Sequence, residues 1–588
     1  MKKFFSVLAG SFLGCCLAIF LGAFFLFGML GTMMLSFGGN KEAVTMPESA
    51  ILRIDFKAPI GEQSKDNMNL MTMVNQDTQT KSISIIDAVR AIKYAESDPR
   101  IKFLYINTDY ISCGTTHLEE LRNAVKDFKT SGKAVITYSN NYSQPGYYLA
   151  SASDKVILNP FGSAMMYGLS SNVMLLKDFL DMVGVEMQLV RQGKFKAAGE
   201  QFTKSSMSPE NEEQMKAMLT TIWNGWFNSI VADRGLDQEV FQRQVDNLEL
   251  ANAQHAVDAR LVDELMYNDQ LESYLAGLYG AEKFEDVRFI DIQDYAPLTK
   301  SLKSKKENVA IIYAEGEIKS GQSDQEIFSQ TFAKMISKVR KDSSVKAVVL
   351  RVNSPGGDAQ AAEIIARELR ELRKVKPLVV SFGDYAASGG YWISAQSDRI
   401  FTNHSTLTGS IGVFSMIPTV EKGANEILKV HFGVVNTNKN SDVLNITRRL
   451  KDTERNMIQA STKRIYDAFL QNVATGRNLT VERVDEIAQG RVWAGGDAIN
   501  IGLADEIGGI CDAVEYAAKA AGLSDYGIKE YPLQKDMMTK VLEMLTSAGT
   551  SLEIISDPMK AAQNAYAEMN SYCGKVFARV PYMIEINK

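Results

Sequence analysis

Residues 384–395 read DYAASGGYWISA and set Ser388 among small neighbours, Ala386 and Ala387 before it, Gly389 and Gly390 after it. Such a run permits a tight turn leading into a helix through Tyr391, Trp392 and Ile393. The hydroxyl would then sit at a helix N-terminus, where unpaired backbone N–H groups point toward negative charge. The Gly389 amide could stabilise an oxyanion beside its own nucleophile. The loop Asn353-Ser354-Pro355-Gly356-Gly357, which opens another helix, supplies further amides for the same hole. The chemistry this points to is acyl transfer. Taken alone the signal is weak, because a serine before a helix more often caps it than attacks a carbonyl.

A serine nucleophile needs a base. The chain has four histidines, His117, His255, His404 and His431, none in a HExxH pattern or a ligand cluster, so neither a catalytic metal nor another cofactor is expected. A degenerate copy of the serine stretch lies at 140–151, NNYSQPGYYLAS, in which Gln144 faces Ser388. The reverse asymmetry occurs further on. Lys196, in RQGKFKAAGE, stands where the second copy has Ser441, in NTNKNSDVLN. Lys196 is therefore the candidate base. A free lysine has a pKa of about 10.4, and lowering it by roughly three units requires about 4 kcal/mol. Burial between two domains can supply that. Lys194 competes for the role, but it aligns with Lys439 and distinguishes the copies less well.

The elements that must position these groups repeat along the chain. ESAILRIDFKAPIGEQ at 48–63 parallels ENVAIIYAEGEIKSGQ at 307–322, each an apolar strand running into a polar loop. A helical pattern then precedes RIKFLYIN, ending at Asn107, and likewise KAVVLRVN, ending at Asn353. Beyond that strand the second copy has the Pro-Gly-Gly turn and the first has lost it. KAVITYS and KPLVVSFG follow, then the two elbows. Strands alternating with helices at this spacing predict parallel βαβ units, hence an α/β fold in two tandem repeats. The first is expected over 47–300 and the second over 305–535, with KSLKSKKEN between them and a helical C-terminal extension over 536–588.

Composition sets the outer limits. With 588 residues the chain exceeds a single core. Its net charge of −6 offers no basic footprint for nucleic acid. Lys2 and Lys3 precede an uncharged stretch, Phe4 to Asn40, read as a transmembrane helix over residues 10 to 34 within a 1–40 anchor region. The positive-inside rule keeps the N-terminus cytoplasmic and sends the rest across the membrane; a cleaved signal peptide is the alternative. Cys113, Cys511 and Cys573 lie beyond the span without metal spacing, which leaves either one disulfide with a free thiol or three unpaired cysteines.

In combination, NSPGGD at 353–358, ASGGY at 387–391, TGSIGV at 408–413 and the GKFK run ending at Lys196 resemble the signal peptide peptidase A (protease IV) family in its long, duplicated bacterial form. The resemblance covers residues 48 to about 535. It implies a ClpP/crotonase-like fold, Ser388 as nucleophile, Lys196 as general base and Ser410 as the residue orienting the lysine. Gly389, Gly357 and Gly356 would form the oxyanion hole. It further implies released signal peptides as substrates, a homotetramer, and a single-pass protein of the bacterial inner membrane with periplasmic catalytic domains. Phe195 and Ala197 flank the lysine where relatives often have Tyr and Ser. Two other classes compete: a crotonase-like acyl-CoA enzyme, in which the glycine amides polarise a thioester, and an inert membrane scaffold.

Overall fold

A computed structural model of the chain describes residues 45–64, 82–299, 305–533 and 575–580, with Gly14, Leu17, Phe20 and Leu21 as isolated positions before them. Most of the expected anchor, the polar stretch 65–81 and, of the C-terminal extension, residues 536–574 and 581–588 lie outside the described residues. Among the described residues no helix is long and apolar enough to cross a membrane. Residues Met1–Glu48 form one unit and Ser49–Lys588 another; both repeats belong to the second.

Each repeat is built on a parallel sheet. In the first, the strands run in the spatial order Glu264–Leu265, Lys155–Leu158, Val135–Ser139, Ile101–Asn107, Ala50–Ile54, Phe289–Asp291. The second follows the same path through Glu506–Ile507, Arg399–Thr402, Leu378–Ala387, Val345–Ser354, Asn308–Glu315 and Gly527–Tyr531. Buried on both faces, these strands read as continuous apolar runs such as VKAVVLRV, as parallel sheets covered by helices require. The second sheet has an addition. Leu407–Gly409 pairs parallel with the end of Leu378–Ala387, and Val492–Ala494 pairs antiparallel with Leu407–Gly409.

A third sheet crosses the repeat boundary. Glu186–Gln192 of the first repeat pairs antiparallel with Val413–Thr419 of the second along its whole length, from Val413 opposite Gln192 to Thr419 opposite Glu186. Seven residue pairs of ladder thus deliver the chain that leads to Lys196 into the second repeat. The same sheet contains Phe577–Arg579, which lies between Gly356–Asp358 and Val413–Thr419. The C-terminal extension, expected to be helical, is therefore a strand where it is described. Val576 and Ala578 point to the core of the second repeat while Phe577 packs on Phe414 and Ala198, the two-residue alternation that suits a strand between two others.

Buried charge also ties the repeats together. Arg351 is enclosed, its Nε donating to Glu62 at 2.7 Å and its Nη2 lying 2.9 Å from Glu120. Both acids come from the first repeat. Burial pushes the neighbouring Glu119 carboxyl up to about 7, opposed by hydrogen bonds from Ser405 and the His404 amide. Removing one partner of such a buried set costs about 3–5 kcal/mol, so the register between repeats is strongly specified. Cys113 and Cys511 are unpaired thiols whose pKa is raised by burial; Cys573 lies outside the described residues.

Candidate active site

Parallel register brings the two serines together. Ala387 pairs with Gly409, so the next residues, Ser388 and Ser410, leave adjacent strand ends side by side. The Ser388 amide donates to the Gly409 carbonyl at 2.8 Å and the Ser410 amide to the Arg491 carbonyl at 2.7 Å. Both serines have positive φ, 56° for Ser388 and 48° for Ser410. For residues with a Cβ this is strained backbone, of the kind that persists where the surroundings over-determine it. Ser388 precedes the helix Gly389–Ser394, yet its side chain makes no capping bond. Its hydroxyl is free for another partner.

That partner is Lys196. After the strand Glu186–Gln192 the chain turns at Gly193, with φ of 102°, and the Phe195 amide donates to the Gln489 carbonyl at 2.8 Å. Gly490 makes the approach possible, since a Cβ there would lie 2.6 Å from the Lys196 Cβ and 2.7 Å from its backbone nitrogen. The Lys196 Nζ then lies 2.9 Å from Ser388 Oγ, 3.0 Å from Ser410 Oγ and 3.1 Å from the Ser410 carbonyl oxygen. Lys196, Ser388 and Ser410 all have 0 % solvent exposure. Burial alone drives the Lys196 pKa well below that of a free lysine. A neutral amine has two N–H groups and one lone pair. If the N–H groups go to the two oxygens of Ser410, the lone pair faces the Ser388 hydroxyl proton.

The competing Lys194 is exposed, its amine resting 4.9 Å over the Phe195 ring. Ser441, aligned with Lys196, is also exposed and bonds only within its own turn. Gln144, aligned with Ser388, is fixed by the backbone of residues 167–168, accepting from the Tyr167 and Gly168 amides and donating to the Gly168 carbonyl.

Gly389 and Gly357 lie close together, a Cβ on Gly389 falling 3.1 Å from the Gly357 nitrogen. The Gly356 amide donates to Ser354 Oγ at 3.2 Å. With φ of 98°, a Cβ on Gly356 would lie 2.7 Å from the Gly389 nitrogen. The loop runs on into Asp358, which caps the helix Ala359–Arg373 by accepting from the Ala361 amide at 2.9 Å. Among the described residues, no group of three or more His, Cys, Asp and Glu side chains is placed to hold a metal ion.

Gly490 and the strand Phe577–Arg579 went unnoticed in the sequence. Gly490 follows Gln489 in an ordinary-looking QGR turn. The strand's sequence, FAR, is too short to carry a period.

Comparison with known proteins finds relatives over most of the chain. The chain is 34 % identical over 563 residues to "Protease 4" of Haemophilus influenzae, covering 93 % of this chain and 89 % of that protein. It is 34 % identical over 535 residues to "Protease 4" of Salmonella typhi, covering 88 % and 85 % respectively. "Serine protease SPPA, chloroplastic" of Arabidopsis thaliana is 30 % identical over 485 residues, covering 81 % of this chain and 70 % of that protein. The solved structure of a ClpP1 mutant from Listeria monocytogenes superposes at a TM-score of only 0.23 with 15 % identity, covering 35 % of this chain and 94 % of that one. The family model of peptidase family S49 matches twice, at residues 127–281 and 370–524, once in each repeat. The chain belongs to peptidase family S49, as a duplicated serine peptidase.

Proposed function

We propose that the chain is a membrane-anchored signal peptide peptidase that hydrolyses peptide bonds with a Ser388/Lys196 dyad. The observation that carries this reading is the 2.9 Å approach of a fully buried lysine amine to a serine hydroxyl that caps nothing. Neutral Lys196 takes the Ser388 proton as the alkoxide attacks the substrate carbonyl. The amides of Gly389 and Gly357 hold the resulting oxyanion, and the protonated lysine returns its proton to the leaving amine. Water, activated by the same lysine, then releases the acyl group. Ser410 keeps the amine aimed at Ser388 throughout.

Released signal peptides as substrates follow from the likeness to the family, and the uncharged N-terminal stretch would hold the enzyme where such peptides leave the bilayer. Periplasmic catalytic domains, a homotetramer, a ClpP/crotonase-like build and the repeat limits 47–300 and 305–535 belong to the same reading. The acyl-CoA and scaffold alternatives leave the buried amine without a task.

The test is a serine-directed fluorophosphonate with mass mapping of the labelled peptide, alongside hydrolysis of a chromogenic peptide. Label is expected on Ser388, with activity of Ser388→Ala reduced by about 10⁵-fold or more. Label elsewhere, or activity surviving in Ser388→Ala, would sink the dyad.

A further inference from the structure

The lysine loop is held by more than the strand that leads into it. The Lys196 carbonyl accepts from Arg191 Nη1 at 2.9 Å, a local bond within the first repeat. The Phe195 carbonyl, one residue earlier, accepts instead from Gln214 Nε2 at 3.0 Å. Gln214 lies in the second turn of the helix Pro209–Arg234 and is buried. Its Nε2 also donates to Asn211 Oδ1 at 3.0 Å, and its Oε1 accepts from the Val492 amide at 3.2 Å. Both N–H groups and the carbonyl of the side chain are thus in use. Val492 belongs to the second repeat, where it pairs with Gly409 and follows Arg491, whose carbonyl accepts from the Ser410 amide. One side chain therefore joins the backbone beside Lys196 to the backbone beside Ser410.

The other repeat shows what this amide is for. Its counterpart helix, Asp452–Arg477, has the same length of 26 residues. The aromatic rings fix the alignment: Trp226 packs on Tyr148 at 5.1 Å and, at the same place along the second helix, Phe469 packs on Trp392 at 4.5 Å. Gln214 then corresponds to Met457, which is exposed. The repeat that has Ser441 in place of the lysine also has no amide at this position. Burying an amide is costly unless its polar atoms are paired, and here the pairing partners are the two main-chain segments that meet at the lysine.

We propose that Gln214 is a positioning residue for the base: it clamps the lysine loop of the first repeat to the Val492 segment of the second, so that the amine stays within reach of both serines. The lysine stem is long and flexible, and Nζ meets Ser388 Oγ at 2.9 Å and Ser410 Oγ at 3.0 Å only while its backbone is fixed. Arg191 restrains the loop within its own repeat; Gln214 sets its place relative to the other. This rests on the Ser388/Lys196 reading.

The test uses the full chain and a chromogenic peptide. Gln214→Met keeps the bulk of the side chain and removes its amide. It should lower kcat by about 10²-fold, the effect of displacing a reacting group by about 1 Å, with KM within about 2-fold. The rise of kcat/KM with pH should move toward the free-lysine value of about 10.4 as the amine leaves its enclosed position. Gln214→Asn, an amide too short to span both partners, should shift the profile less in the same direction, and it stands in if the Met variant does not fold. In a Lys196→Met background, Gln214→Met should change the residual rate by less than about 2-fold, because groups that act as a unit are not additive. A fall in kcat with an unmoved pH profile, or an equal fall in both backgrounds, would show a merely structural role and overturn the assignment. Unchanged kinetics in both Gln214 variants would overturn it too. Full activity in Lys196→Met alone would overturn the dyad reading and the assignment with it.

Discussion

The chain contains two elbows between a sheet strand and a short helix, and they use the same local sequence logic for opposite ends. In the first repeat Ser143 enters the helix Gln144–Ala150 at φ −68° and ψ 158°, and its hydroxyl accepts from the Gly146 amide at 3.2 Å. In the second, Ser388 enters Gly389–Ser394 at φ 56° and ψ −111° and caps nothing. The tyrosines show which residues correspond: Tyr147 donates to the Leu261 carbonyl at 2.7 Å, and Tyr391 to the Leu503 carbonyl at 2.8 Å. Gln144 is therefore the counterpart of Ser388, Ser143 of Ala387, and Pro145 of Gly389. Pro145 has no N–H, so the first elbow lacks one of the proposed oxyanion donors along with the proposed nucleophile. What distinguishes the cap from the proposed nucleophile is the backbone, relaxed in one elbow and strained in the other, at a typical cost of about 1–3 kcal/mol.

The comparison can be broken most severely at the lysine that serves only the second elbow. Lys196→Met should lower kcat by about 10⁴-fold in the chromogenic assay, the upper range for loss of a general base. The same variant should be more stable. The folded pKa of Lys196 lies below its unfolded value of about 10.4, so between the two the native chain binds fewer protons than the unfolded chain and stability rises with pH. Replacing the lysine removes that penalty, so the variant should unfold at a higher denaturant concentration at about pH 7.5. Chemical denaturation across pH should show the gain shrinking toward pH 10.4. In the unmutated enzyme, kcat/KM should rise with pH through the lowered lysine pKa and level off below the free-lysine value; a rise only near 10.4 would contradict the buried base.

Copying the first elbow into the second is a subtler test. Gly389→Pro removes one amide and should reduce kcat by about 10²–10³-fold, with KM much less affected. If kcat is unchanged, Gly389 donates nothing and the two elbows differ only in the nucleophile. The smallest effect belongs to the cap. Ser143→Ala should cost about 1 kcal/mol of stability, read as a shifted denaturation midpoint, without changing kcat. Ser388→Gly should be neutral or stabilising, because glycine tolerates the positive φ. Comparable losses from both would mean that Ser388 also caps its helix.

Much of this was legible in the sequence because it is local or repeated. Apolar runs such as KAVVLRVN mark buried parallel strands whatever surrounds them, and their recurrence exposed the duplication. The missing serine in one copy and the missing lysine in the other paired Ser388 with Lys196. The glycine loop was less legible. Where Ser354 turns its hydroxyl, and so which partner the Gly356 amide finds, is not encoded in composition.

The sequence by itself determined an α/β duplication, a serine set in a turn that only small residues permit, and a lysine without a counterpart in the other copy. Those are properties of short segments and of their comparison. Tertiary structure alone decided that seven paired residues carry the lysine strand across the repeat boundary, that Gly490 leaves room for Lys196, and that a strand near the C-terminus lies on the glycine loop. Each of these depends on contacts between segments tens to hundreds of residues apart. Their register is set by packing and by main-chain hydrogen bonds, which any side-chain sequence can make.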